Sequence, residues 1–319
     1  MTSPRSSAAR ERLRHVVRSG RERGGDAARR ALGLQSGRGF YDDSPSAATL
    51  ARLARLRIRN LASRAPVVGD APAVVVMTTT AARIRSVWAA IESIGEGAER
   101  PRRLILWLDD PSLAELPTSL GRLERRGLEV RRVDPGLRVH TKWWPYVSGT
   151  PVHELPMVTS DDDQLYPRDW LRRLLEVARA HPGAVVAHRA HRVALGVEGL
   201  APYTSWTPAR STAPSFGSFG TSVSGQLFPA PLLEELRAAG TRFLEAAPEA
   251  DDVWLYAQAV RAGRRIVQTS AEAANYPFVP GSQVSGLYLQ NVLHAGNDRQ
   301  LAASLGPAEL ERIAGDLRG

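Results

Sequence analysis

The sequence predicts an α/β fold in which a mostly parallel central sheet is covered by helices, with a basic helical extension at the N-terminus. Three observations predict it. Apolar runs of strand length alternate with stretches of helical spacing, giving strand, helix, strand, helix, strand across residues 73 to 133, the pattern of a parallel sheet with both faces covered. Polar residues gather directly after the strand runs, where such sheets present ligand sites. Charge is segregated: residues 1 to 70 hold 15 arginines against six acidic residues, a balance equal to the formal net charge of +9, so the other 249 residues sum to zero.

With 319 residues, 43% hydrophobic and 24% charged, the chain can build one large core or two modest ones. It has no cysteine, which excludes disulfide frameworks, thiol catalysis and cysteine-ligated metal sites. Seven histidines remain, none in an H-E-x-x-H pattern, which argues against a zinc hydrolase.

The extension begins Ser- and Arg-rich, without the apolar core of a secretory signal, and no run in the chain has the length of a membrane span. A cytoplasmic location is expected. Leu50, Leu53, Ala54, Leu56, Ile58 and Leu61 interleave with Arg52, Arg55, Arg57 and Arg59. That spacing predicts an amphipathic helix, which either packs on the body or makes peripheral contact with an anionic inner membrane face.

Ala73 to Met77 reads as a buried strand running into Thr78, Thr79 and Thr80. A helix over Ile84, Val87, Trp88, Ile91 and Ile94 follows, ended by Gly95 and Gly97. Leu104 to Leu108 is the next strand, closed by Asp109 and Asp110; a helix around Leu116 to Arg126 leads to a strand near Leu128 to Val133. Thr80 and Asp110 can equally serve as caps of the helices after them.

The most informative stretch is a short strand at Pro156 to Thr159 running into Ser160, Asp161, Asp162 and Asp163, with a helix carrying Trp170, Leu171, Leu174 and Leu175 behind it. Three successive carboxylates repel one another. Apolar neighbours on both sides imply partial burial, and a divalent cation is one source of compensation. Alternation along the extended backbone sends Asp161 and Asp163 to one side and Asp162 to the other, and two same-side carboxylates can hold Mg2+ or Mn2+ and leave positions for phosphate oxygens. An acidic surface turn is the plainer alternative.

Ala184 to Ala187 is a further strand, ending in His188, Arg189, His191 and Arg192, which either hold anions or are solvated. Ser215 to Gly225 is glycine-rich, so that a ligand can approach its backbone, and it precedes a short strand and turn at Gln226 to Pro231. Glu249, Asp251 and Asp252 stand before an apolar-periodic helix starting at Val253; they favour the helix dipole or supply a general base. Arg264 to Val267 is the last strand, followed by Tyr276 to Phe278, a helix over Tyr288 to Leu293 and an amphipathic helix from Pro307.

In order and spacing this constellation resembles the nucleotide-sugar-dependent glycosyltransferases of GT-A type, close to glycosyltransferase family 2 and its bacterial polysaccharide-associated members. The resemblance rests on Met77 to Arg83 with the Ile91-Glu92-Ser93-Ile94 helix end, the strand Leu104 to Leu108, and His140 to Tyr146 around Lys142. It continues through Ser160 to Pro167 with Trp170 and Leu171, Gly220 to Pro229, and Asp251 to Trp254. It covers roughly residues 73 to 270. It implies a single GT-A domain over residues 71 to 282, after a basic extension at 1 to 70 and before a helical segment at 283 to 319.

The resemblance also implies roles. Asp161 and Asp163 would hold Mn2+ or Mg2+ with the sugar-nucleotide diphosphate, and Asp162 belongs to the same donor site. Thr79 and Arg83 would contact the nucleotide, and Lys142 would steady the diphosphate. Asp251 or Asp252 would deprotonate the acceptor hydroxyl. The partners would be a UDP- or GDP-linked sugar and a saccharide or other hydroxyl acceptor, in polysaccharide or glycoconjugate synthesis. Thr79 and Thr80 depart from the bulkier or proline-containing turn of many relatives.

Two other classes compete. A metal-dependent phosphohydrolase or phosphotransferase also uses strand-end aspartates, but many need an aspartyl nucleophile after the first strand, where this chain has threonines. A non-enzymatic nucleic-acid or scaffold protein would use the Arg-rich segment. The neutral body lacks a basic stripe interleaved with aromatics, so nucleic acid is not expected as a partner.

Overall fold

Side-chain alternation along the strands builds two cores on one sheet. In the computed structural model, which describes residues 45–197, 199–285 and 295–318, the first strands are Ala71–Thr78 (β1), Pro101–Leu108 (β2), Leu128–Arg132 (β3), Met157–Thr159 (β4) and Val185–Ala187 (β5). Ala190–Arg192 (β6), Leu195–Gly196 (β7), Gly199–Leu200 (β8), Thr207–Pro208 (β9), Ser218–Gly220 (β10), Gln226–Phe228 (β11) and Ile266–Gln268 (β12) follow. Val74, Val76, Ile105, Trp107, Met157 and Val185 enter one core, and Ala73, Val75, Met77, Leu104, Leu106, Val158 and Val186 the other. This is what the near-continuous apolar runs require, because successive strand residues face opposite sides.

Seven strands form the main sheet in the order β12-β5-β11-β4-β1-β2-β3. The pairs β1–β2, β1–β4, β2–β3 and β5–β12 are parallel, while β11 runs antiparallel to β4 and β5. The chain is thus an α/β fold with a largely parallel central sheet flanked by helices. Ile91, Ile94, Leu120, Leu123, Leu171 and Leu174 cover one face from the helices Trp88–Gly95, Thr118–Glu124 and Trp170–Ala180. Leu232, Leu236, Val253, Val260, Leu301 and Ile313 cover the other from helices later in the chain.

Two local differences from the sequence expectation have clear causes. The helix expected from Ile84 begins only at Trp88; residues 81 to 87 form turns in which the Thr80 carbonyl accepts from the amides of Arg83 and Ile84, each at 2.9 Å. Pro229 and Pro231, read as a turn, instead start the helix Ala230–Ala239, where a missing N–H costs nothing in the first turn. The helix expected at Tyr288 to Leu293 lies outside the described residues, as does most of the basic extension, residues 1 to 44.

The amphipathic segment before β1 is the helix Ala47–Ala62, started by Ser46, whose hydroxyl accepts from the Thr49 amide at 3.1 Å. It packs on the body through Leu56, which is fully buried beside Ala89, Leu165 and Val279. Arg52 pairs with Glu96 at 3.1 Å and Arg59 with Glu92 at 3.1 Å. Glu92 is buried and also accepts from Arg126 at 3.0 Å and Asn60 at 3.1 Å.

Gly225 closes the loop into β11 at φ +99°, and a β-carbon there would lie 2.8 Å from Trp170 Cζ2 and 3.1 Å from the Thr159 carbonyl. Gly225→Ala is expected to lower unfolding free energy by about 2–4 kcal/mol, combining backbone strain with overpacking. Gly240, at φ +66° and ψ −149°, has nothing within 4 Å of such a carbon, so Gly240→Ala is expected to lose about 1–3 kcal/mol from backbone strain alone. Urea unfolding of the two variants separates the clash from the backbone cost; equal losses would refute the packing argument.

Candidate functional site

β1 and β4 are parallel neighbours, with Val76 opposite Thr159, so the loops leaving their carboxyl ends emerge side by side. From β1 comes Thr79, whose hydroxyl donates to Asp162 Oδ2 at 2.5 Å. The turns after it carry Arg83, whose Nε lies 3.1 Å from Asp162 Oδ2 and whose Nη1 lies 2.8 Å from Asp163 Oδ2. From β4 come the three aspartates. The Ser160 amide still donates to the Val76 carbonyl of β1, but Asp162 and Asp163 lie in a turn, so the alternation of an extended strand does not govern them: Asp162 and Asp163 share Arg83, whereas Asp161 engages Lys142.

Lys142 joins this loop to the second acidic group. Its Nζ lies 2.7 Å from Asp161 Oδ1 and 3.1 Å from Asp251 Oδ2. Burial opposes its charge, but the two carboxylates hold its pKa above that of an ordinary lysine. The short 3-10 turn Arg138–Lys142 that presents it is pinned at two points. Thr141 Oγ1 donates to Asp109 Oδ2 at 2.9 Å at the end of β2, and His140 Nε2 contacts the Ala247 carbonyl at 2.8 Å. Trp143 Nε1 donates to His140 Nδ1 at 3.1 Å, which leaves the proton of the neutral ring on Nε2; burial pushes this histidine down to about 4.

Asp251 and Asp252 occupy the first turn of the helix Asp251–Arg261, where negative charge is favoured. Asp252 Oδ1 accepts from the Val253 amide at 3.0 Å, and the Ser222 amide donates to the same carboxylate. Burial and the Asp251 charge push Asp252 up to about 7, against the pull of Lys142. Burial and the charges of Asp162 and Asp161 likewise raise Asp163 to about 7, against Arg83 and Gln283. Five carboxylates thus converge around two cationic side chains, Arg83 and Lys142, and negative charge is in excess.

All eight residues singled out from the sequence, Thr79, Arg83, Lys142, Asp161, Asp162, Asp163, Asp251 and Asp252, therefore belong to one group at the carboxyl ends of the sheet, Asp252 joining it through its interaction with Asp251 and Lys142. Others were not foreseen. Gln283 Nε2 donates to Asp163 Oδ2 at 2.8 Å, and its segment is held beside the loop by the Val279 amide on the Asp163 carbonyl at 2.7 Å. The Tyr166 hydroxyl accepts from the Asp161 amide at 2.6 Å. The Gln283 contact spans 120 residues and has no local signal, whereas Tyr166 lies five residues from Asp161 and its contact depends on how the loop between them turns.

The strand-end run after β5 is less suited to anions than its composition implies. His188 is buried between the Trp170 carbonyl and Thr269 Oγ1, each at 3.0 Å, and burial lowers its pKa to about 4. His191 is buried against Tyr203 and is also held neutral by burial. Arg189 donates to Thr221 Oγ1 at 3.2 Å.

Among the described residues no group of three or more histidine or acidic side chains is arranged to hold a metal ion. The chemistry of the donor set nonetheless fits a hard cation: the ligand atoms are carboxylate oxygens, the site carries excess negative charge, and Mg2+ ordinarily takes one or two protein carboxylates and completes its shell with water and substrate phosphate. Asp161 and Asp163 are the residues that would contribute.

No protein-family model and no curated protein sequence matches the chain. Among solved structures it is similar to TarS residues 1–349 from S. aureus, with 13% identity, TM-score 0.44, and coverage of 64% of this chain and 59% of that one. It is similar to the mannosyltransferase PcManGT from Pyrobaculum calidifontis in complex with GDP-Man and Mn2+, with 17% identity, TM-score 0.47, and coverage of 83% and 75%. A third is the inositol-1-phosphate CTP transferase from T. maritima, with 12% identity, TM-score 0.39, and coverage of 72% and 98%. At these values the likeness is distant and says nothing about the chemistry at this chain's carboxylates.

Proposed function

We propose that this chain is a GT-A-type transferase moving a sugar from a UDP- or GDP-linked donor to a hydroxyl acceptor in saccharide or glycoconjugate synthesis. The observation that carries the reading is the Lys142 bridge, which joins Asp161 after β4 to Asp251, 90 residues later, at one end of the sheet. Such a site has one acidic group for the donor's phosphates and another for the acceptor.

In this reading Asp161 and Asp163 would hold Mn2+ or Mg2+ through carboxylate oxygens in exchange for part of their contacts with Lys142 and Arg83, and the ion, when bound, would offset charge on the departing diphosphate. Arg83 and Lys142 add fixed positive charge beside the same phosphates, and Thr79 and Asp162 orient Arg83 through their shared contacts. Asp251 is committed to Lys142, which leaves Asp252 as the general base. The acceptor oxygen bonds to the anomeric carbon, the bond from that carbon to the diphosphate oxygen breaks, and the acceptor proton passes to Asp252.

The test is release of nucleoside diphosphate from a panel of UDP- and GDP-sugars with and without Mn2+ or Mg2+. Asp163→Ala is expected to lower metal-dependent release by at least about a hundredfold with the fold retained. No turnover of any nucleotide sugar, with Mg2+-dependent hydrolysis of simple phosphate esters instead, would overturn the reading.

A further inference from the structure

The helix Ala47–Ala62 buries one face on the body and leaves the other entirely without polar groups except at its edges. Leu50 is 52% exposed, Ile58 65% and Leu61 57%. With Ala54 they recur at intervals of four, four and three residues, one face of an α-helix. Ala47, Ala51 and Ala62 are exposed beside them. The stripe is flanked by Arg55 and Arg57 within the helix and by Arg64 just beyond it, all exposed. The helix itself contains no acidic residue. The inward arginines Arg52 and Arg59 pair with Glu96 and Glu92, and on the rim Arg55 also reaches Glu96, at 2.8 Å, while Arg57 stacks on the Trp88 ring.

An exposed apolar stripe with a wholly cationic rim is the chemistry of a helix lying in the plane of an anionic lipid surface. Among the described residues no helix is long and apolar enough to cross a membrane. We propose that this outward face docks on an anionic lipid bilayer, with Leu50, Ile58 and Leu61 entering the headgroup–acyl boundary and Arg57 and Arg64 meeting lipid phosphates.

Charge complementarity selects this occupant. A second copy of the chain would bring one arginine rim against another. Residues 1 to 44 carry ten arginines against five acidic residues, so they match the rim in sign and add to its attraction for anionic lipid. A nucleic acid would use the arginines but has no use for exposed leucine and isoleucine at helical spacing. The helix is also well anchored for such a load: Arg52 donates to the carbonyls of Leu165, at 3.1 Å, and Tyr166.

The test is co-sedimentation of the full chain with vesicles of pure phosphatidylcholine and with vesicles containing phosphatidylglycerol. Binding to the anionic vesicles is expected to exceed binding to the neutral ones by at least about tenfold. The triple variant Leu50→Ser, Ile58→Ser, Leu61→Ser is expected to lose about tenfold or more of that binding while melting as the parent does, because the three positions are exposed. Arg57→Gln with Arg64→Gln is expected to lose about fivefold per arginine of the preference for anionic lipid. The proposal is overturned if the parent does not pellet with anionic vesicles, if the triple variant pellets equally, or if light scattering shows a dimer that the triple variant dissociates. Duplex DNA binding unaffected by the triple variant, without vesicle binding, would also overturn it. Nucleotide-sugar turnover does not enter the readout, so this result stands apart from that of the donor panel.

Discussion

Lys142→Met is expected to destabilise the fold by about 3–5 kcal/mol and to reduce turnover by about 10²–10³-fold. Lys142 is the chain's only lysine, and its Nζ is the group in contact with both Asp161 and Asp251. Methionine keeps the length of the side chain but leaves five converging carboxylates with Arg83 as their cation. Breaking a buried pair from one side costs more than the pair contributes, because the remaining charge is stranded. Protonation relieves that cost, so the deficit measured by urea unfolding is expected to be larger at pH 8 than at pH 5. Lys142→Arg is not a rescue, since a planar guanidinium cannot take the place of a compact ammonium between two carboxylates. If Lys142→Met unfolds at the parent's urea midpoint at pH 8, the bridge does not hold the two acidic groups together.

How much of this site was legible in the sequence follows from the range of the contacts involved. Three adjacent aspartates after an apolar run announce a need for compensation, and that need is met in part, by Arg83 and Lys142, which lie 80 and 19 residues away from their aspartates. Spacing alone did not single out Lys142; a family resemblance did. Alternation failed at Asp161 to Asp163 because it assumes an extended backbone, whereas this loop is turned by the Tyr166 hydroxyl on one amide and the Val279 amide on one carbonyl. Gln283 was missed because its partner lies 120 residues away and is fixed only by tertiary folding. The sheet was easier, since its burial on both faces writes itself as unbroken apolar runs at β1 and β2. The antiparallel direction of β11 was not legible, because three buried residues look the same in either direction.

Asp252→Asn is expected to separate stability from turnover, moving them in opposite directions. Burial and Asp251 raise the Asp252 carboxyl to about 7, while in the unfolded chain it titrates near its ordinary value of about 3.9. Between those values the folded protein holds a proton that the unfolded chain has released, so the contribution of this group to stability falls as pH rises from about 4 to about 7 and stays lowest above that. A base must be ionised to work, so turnover is expected to rise across pH 7, where the fold is least helped by this group. Asparagine retains the oxygen that accepts from the Val253 amide and removes the charge. The variant is therefore expected to melt higher than the parent at pH 8 and by a smaller margin at pH 5, and to lose about 10²–10⁴ in turnover together with the rise across pH 7. Asp251→Asn should behave differently, losing stability at pH 8 because it strips Lys142 of one partner. Thermal melts and turnover profiles of both variants from pH 5 to 8 decide between the two aspartates. Parent-like turnover in Asp252→Asn, or a lower melting temperature than the parent at pH 8, would remove Asp252 from the role of base.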